Sequence, residues 1–137
     1  MNPAPHANPA KTPTDATAPS RVGVGIDIEC ADNLPWSGDP WLEPFYRENF
    51  TEAEIAYCAR QANPRLWFCG LWSAKEAALK CDPALADLRP IEIEIGHTEK
   101  GQPELRLAKA RPTHSGGWTL SISQAGQTCV AVCLKLW

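Results

Sequence analysis

The sequence predicts an α+β domain in which an antiparallel sheet packs against one long central helix. Three observations carry that prediction. Apolar residues alternate at Val22, Val24, Ile26 and Ile28, and again at Ile91, Ile93 and Ile95, which is the period of a strand with one covered face. Between these stretches the spacing turns helical, opened by capping residues at Thr51 and Asn63. Beyond them, turn signals at Gly101 and Gly126 separate further strand-like runs. A strand, then helices, then consecutive antiparallel strands is the order of an α+β fold.

Residues 1–20 are expected to form a disordered tail. They hold five prolines among Ala, Thr, Asn and Ser, and such a segment buries too little surface to offset its ordering entropy. With neither an apolar core nor a basic start, the tail does not read as a signal peptide. Residues 21–137 fit one domain with no internal repeat. A net charge of −3 gives no global reason to expect nucleic acid, and no stretch is apolar enough for a membrane span. The six cysteines lie at 30, 58, 69, 81, 129 and 133 with no Cys-x-x-Cys spacing. They read as small buried apolar residues of a cytoplasmic protein, not as disulfides or a zinc site.

In the first strand, Val22, Val24, Ile26 and Ile28 share one face, and Gly23, Gly25, Asp27 and Glu29 the other. Asp27 and Glu29 then stand roughly 6–7 Å apart, and the two glycines leave room for something to lie against the backbone. Residues 31–44 are rich in proline and read as a loop, docked on the body by Trp36 and Trp41. Thr51 and Glu54 form a capping box, with Phe50 and Ile55 at the staple positions, which predicts a helix from Glu52 to about Gln61.

The central helix starts at Asn63-Pro64, an N-cap followed by proline at the first helical position. It ends near Cys81-Asp82-Pro83, because the residue before a proline avoids the helical region. Trp67, Phe68, Leu71, Trp72, Ala74, Ala78 and Leu79 fall on one arc, and Cys69, Ser73, Glu76 and Lys80 form a stripe outside it. Taken alone, Glu76 and Lys80 make a surface ion pair worth a few tenths of a kcal/mol. Lys75 falls inside the apolar arc, where a lysine either snorkels past its neighbours or is held by an anion. A strand over Ile91–Ile95 follows, then a turn at Glu99–Pro103 into Glu104–Leu107, and two strands, Trp118–Gln124 and Thr128–Leu136, joined at Gly126.

Read together, Gly25-Ile26-Asp27-Ile28-Glu29 and Trp72-Ser73-Ala74-Lys75-Glu76-Ala77-Ala78-Leu79-Lys80 resemble the 4′-phosphopantetheinyl transferase superfamily. Its signature is a Gly-x-Asp strand, often continued as Asp-x-Glu, followed by a helical Trp-x-x-Lys-Glu-Ala-x-x-Lys. The Phe50-Thr51 segment between them and the Gly101-Gln102-Pro103 hairpin resemble further parts of that pattern. The resemblance implies the family's α+β fold and a magnesium-dependent transfer of 4′-phosphopantetheine from coenzyme A to a serine of an acyl- or peptidyl-carrier protein. Asp27, Glu29 and Glu76 suit magnesium, which takes oxygen ligands and shares them with substrate phosphates. Lys75 and Lys80 are candidates to neutralise the pyrophosphate, and Glu76, or a metal-bound water, to accept the serine proton.

The sequence also departs from the pattern. Family members commonly carry a Ser-x-Ser-His that helps to hold coenzyme A, and here the segment reads Ser121-Ile122-Ser123-Gln124. Ser123 and Gln124 are the expected coenzyme A contacts, and glutamine cannot carry charge; His114 in the preceding loop is a possible substitute. The chain matches one half of the two-domain relatives, so a homo-oligomer is expected, a trimer being favoured, with Trp72, Trp118 and Trp137 in search of cover. Two other readings are a carrier-binding scaffold of the same fold without efficient catalysis and a different magnesium-dependent phosphate enzyme.

Overall fold

A computed structural model describes residues 21–109 and 117–137; the N-terminal tail and His114 lie outside the described residues. Strand β1 (Val22–Cys30) leads through a short 3-10 turn into helices α1 (Pro44–Asn49), α2 (Glu52–Ala59) and α3 (Pro64–Cys81). Strands β2 (Ile93–His97), β3 (Pro103–Leu107), β4 (Trp118–Ala125) and β5 (Thr128–Leu136) follow. All pairings are antiparallel: β5 lies between β1 and β4 in one sheet, and β2 pairs with β3 in another. This is the α+β architecture predicted, with its strands divided between two sheets.

The long helix is built as its sequence dictates. Asn63 caps it through a hydrogen bond from Leu66 N to the Asn63 side chain, and Pro64 occupies the first position. Its small residues Ala74, Ala77, Ala78 and Cys81 are buried, and α3 packs on β1 and β5. The two glycines of β1 admit that close approach. A Cβ on Gly25 would run into the Ala77 carbonyl and sit 2.7 Å from Cys81 N, and one on Gly23 would stand 2.7 Å from the Trp137 ring. The space expected for a ligand beside these glycines is therefore filled by α3 itself. Cys69 and Ser73, expected outside the apolar arc, are fully buried for the same reason.

On the other side of α3, Phe68 packs against Tyr46 (ring centroids 4.2 Å apart), and Trp72 against Phe45 (5.2 Å). Pro44–Asn49 forms a helix where a loop was expected up to Pro44: its aromatic residues face this cluster, and six residues are too few to display a period. The Tyr46 hydroxyl donates to Pro35 O at 2.6 Å, and Arg65 donates to Leu34 O, so the proline-rich loop is fixed to α1 and α3. Trp36 docks edge-on against Tyr46, whereas Trp41 stays exposed.

The β2 strand begins later than its alternation suggests, because Pro90–Glu92 forms a 3-10 turn. Arg89 N donates to the Glu92 carboxylate at 2.9 Å, and Pro90 O is drawn inward as an acceptor for Lys75. Five cysteines are buried, Cys30 is partly so, and all six are free thiols. No helix among the described residues is long and apolar enough to cross a membrane.

The outer face of the three-stranded sheet carries the other side of the β1 alternation. Val22, Val24, Ile26 and Ile28 are 55 to 67 % exposed and stand opposite Leu136, Leu134, Val132 and Val130 of β5. Among the described residues, nothing covers this apolar face. Trp72 and Trp118, expected to lack cover, are instead half-buried in the chain's own core.

Candidate functional site

Asp27, Glu29, Glu76 and Lys80 meet along the seam between β1 and α3. Period two puts both β1 carboxylates on the face that α3 covers, and Glu76 and Lys80 are one helical turn apart on α3. Lys80 Nζ contacts Asp27 Oδ1 at 2.7 Å and Ile26 O at 3.2 Å. Its side chain is still 53 % exposed, which leaves it room to swing. Glu29 Oε1 accepts from Cys30 N at 2.8 Å and from Asn33 Nδ2 at 2.9 Å. Burial raises the Glu76 pKa above the ordinary carboxylate value, and the negative charges of Asp27 and Glu29 raise it further, against the pull of Lys80.

This seam gathers three carboxylates against one lysine, and its oxygen-only donors fit a hard divalent cation that shares its shell with water and phosphate. As they stand, no three acidic, histidine or cysteine side chains among the described residues are close enough together to hold a metal ion. Asp27 is engaged by Lys80, and Glu29 by Asn33 and its own neighbour's amide. Ser73, one turn before Glu76, keeps a buried hydroxyl without a hydrogen-bond partner.

Lys75 belongs elsewhere. Its side chain is sealed from solvent and contacts Glu54 Oε2 at 2.7 Å, and its other two protons go to Asn49 O and Pro90 O, each at 2.9 Å. Three acceptors saturate an ammonium group. Burial pulls both partners towards their neutral forms, Lys75 down and Glu54 up, and their mutual attraction and hydrogen bond pull the other way. Glu54 also accepts from Thr51 N and Ile95 N, both at 2.8 Å, so the pair ties α2, α3 and β2 together. The expectation that Lys75 meets a pyrophosphate is corrected: the anion that holds it is Glu54.

A cavity of about 280 Å³ opens between the first half of α3, the β2–β3 hairpin and β4. It is lined by Trp67, Gly70 and Leu71 of α3, Ile122 and Gln124 of β4, and His97 with the hairpin's Gly101 and Pro103. Gln124 thus faces a concave site. Ser123 does not. It is exposed and pairs with Val130, on the outer face of the sheet away from α3, because side chains alternate along β4. Within one chain, Ser123 is therefore no part of this cavity. His97 was not singled out in the sequence, although continuing the alternation of Ile93 and Ile95 by two residues puts it on the inner face.

The seam and the cavity lie on different sides of α3. At 3.6 residues per turn, Trp67, Gly70 and Leu71 point roughly 120–180° away from Glu76. One chain therefore does not turn both towards the same space.

Residues 23–133 match the family described as the 4′-phosphopantetheinyl transferase superfamily. The fatty acid synthase subunit alpha of Candida parapsilosis is 38 % identical over 112 residues, 76 % of this chain and 6 % of that protein. The chain spans only 4 to 7 % of the length of the fungal subunits it matches. A holo-[acyl-carrier-protein] synthase of Thermodesulfovibrio yellowstonii is 31 % identical over 85 residues, 62 % of this chain and 75 % of that one. Among solved structures, the ACPS-CoA complex of Chronobacterium ammoniagenes superposes with a TM-score of 0.67 at 22 % identity, covering 85 % of this chain and 98 % of that one. In sequence and in fold, the chain belongs to the 4′-phosphopantetheinyl transferase superfamily.

Proposed function

We propose that this chain transfers the 4′-phosphopantetheine arm of coenzyme A to a serine of an acyl- or peptidyl-carrier protein. The observation that carries the reading is the seam itself, where Asp27, Glu29, Glu76 and Lys80 gather on the two motifs that mark the family. Asp27, Glu29 and Glu76 would hold magnesium, which supplies positive charge against the pyrophosphate. Lys80 leaves Asp27 and adds a second positive charge on the same oxygens. The serine oxygen bonds to the phosphorus nearer the pantetheine, the bridging P–O bond breaks, and adenosine 3′,5′-bisphosphate departs with the electron pair. The serine proton passes to Glu76, which stands beside Asp27, Glu29 and Lys80 in this seam. Positioning and charge neutralisation do most of the work in such a transfer.

The site is completed between copies of the chain. Seam and cavity face apart on α3, and the apolar outer face of β1 and β5 offers the surface by which copies join. A trimer is the assembly that the family resemblance favours.

The reading is tested by incubating the protein with coenzyme A, magnesium and a panel of apo-carrier proteins, followed by intact mass. A carrier that gains one phosphopantetheine supports it. Binding of carriers with no mass gain on any of them overturns it in favour of a scaffold, the reading to which the uncharged Gln124 lends itself.

A further inference from the structure

Among the described residues, Ser73 alone keeps a buried side-chain polar atom with no hydrogen-bond partner. A serine inside a helix can turn its hydroxyl to the carbonyl one turn back, yet Ser73 makes no such bond. A buried donor left unpaired costs stability, and alanine would remove that cost while suiting the helix better. The hydroxyl therefore calls for a function outside the packing of the chain.

Its place follows from the register of α3 on the sheet. Cys69, Ser73, Ala77 and Cys81, four residues apart, form one buried row along the helix. At one end of the row the thiol of Cys69 bonds with that of Cys129, and at the other Cys81 bonds with Cys133. The β1 partners of those two β5 cysteines are Glu29 and Gly25, and the pair between them is Asp27 with Ala131. Gly25 lies against Ala77 and Cys81. Ser73, between Ala77 and Cys69, accordingly lies over the Asp27–Ala131 pair. Asp27 turns its side chain to the same face, where Lys80 Nζ contacts Oδ1 at 2.7 Å.

Resting on the reading above, we propose that Ser73 is a positioning residue for the metal: its hydroxyl donates to the Asp27 carboxylate once Lys80 has released it, and so fixes the direction of that ligand. Hydrogen bonds from behind a ligating carboxylate hold it in the geometry the ion demands, and their loss weakens metal binding. Magnesium is exacting about that geometry. While Lys80 holds Asp27 the hydroxyl stays idle, and the cost of burying it is recovered when Asp27 turns to the ion.

The test is calorimetric titration of magnesium into the parent protein, Ser73→Ala and Ser73→Cys, together with thermal unfolding of each without magnesium. Ser73→Ala should melt at or above the parental temperature and bind magnesium about tenfold or more weakly. A residue that only packs would show neither the unchanged melting nor the lost affinity. Ser73→Cys fills the same space with a weak donor, so its magnesium affinity should fall as well, which separates the hydrogen bond from the space. Parental magnesium affinity in either variant, or a lower melting temperature of Ser73→Ala without magnesium, overturns the role of Ser73. Failure of the parent protein itself to bind magnesium overturns instead the metal assignment on which it rests.

Discussion

Lys75 Nζ and Glu54 Oε2 meet 2.7 Å apart with both side chains sealed from solvent, and every proton of the ammonium is taken by an acceptor within the chain. Removing one partner strands the other as a buried charge, which costs about 3–5 kcal/mol, a large part of the stability of a domain this size. Lys75→Ala should accordingly lower the urea midpoint sharply or prevent folding. Unchanged stability together with lost coenzyme A affinity would return Lys75 to the ligand site.

Glu76 behaves in the opposite sense. Its pKa is raised in the folded state by burial and by Asp27 and Glu29, so its ionised form costs stability above that pKa, and the cost fades as pH falls through it. Glu76→Gln should raise the melting temperature of the metal-free protein at pH 7 and leave it unchanged at pH 4. The same variant should lose the stabilisation that added magnesium confers on the parent. A lower melting temperature at pH 7, or undiminished stabilisation by magnesium, would contradict the role given to Glu76.

Lys80 makes one partly exposed ion pair, a kind of contact worth at most about 1 kcal/mol. Lys80→Ala should therefore fold normally and transfer phosphopantetheine more than about tenfold slower, a barrier rise of about 1.4 kcal/mol. Transfer at the parent rate would make the pair with Asp27 its whole purpose.

Much of this was legible because local rules and packing agree. Asn63-Pro64 and Thr51 fixed the helix starts through capping geometry, and period two separated the faces of β1. Which face of β1 is buried was less legible. The valines and isoleucines look like the core side, but Gly23 and Gly25 let a helix come closer than any side chain allows, so α3 took the glycine face and left the apolar one outside. Lys75 was misplaced for a related reason: the acceptors that satisfy it come from Asn49, Glu54 and Pro90, far from it in the chain. The register of Ser123 with Val130 depends on where β4 pairs with β5, and that too is a property of the folded sheet.

The apolar outer face gives an assembly prediction. Ile26 is 62 % exposed, so Ile26→Asp should leave the isolated fold intact while placing a charge at the contact between copies. Light scattering should show the parent as an oligomer and the variant as a monomer, with coenzyme A affinity falling in parallel. A parent that is monomeric at micromolar concentration and fully active would contradict this.

Whether the seam of one copy works with the cavity of another can be measured by mixing two inactive variants. Glu76→Gln disables the seam, and Gly70→Leu fills the cavity beside Gln124 and Ile122; each alone should transfer almost no phosphopantetheine. Co-expressed, they should regain a substantial fraction of parental transfer, because some contacts then join an intact seam to an intact cavity. If the mixture stays as inactive as its components while light scattering shows mixed oligomers, each site lies within one chain and the account is wrong.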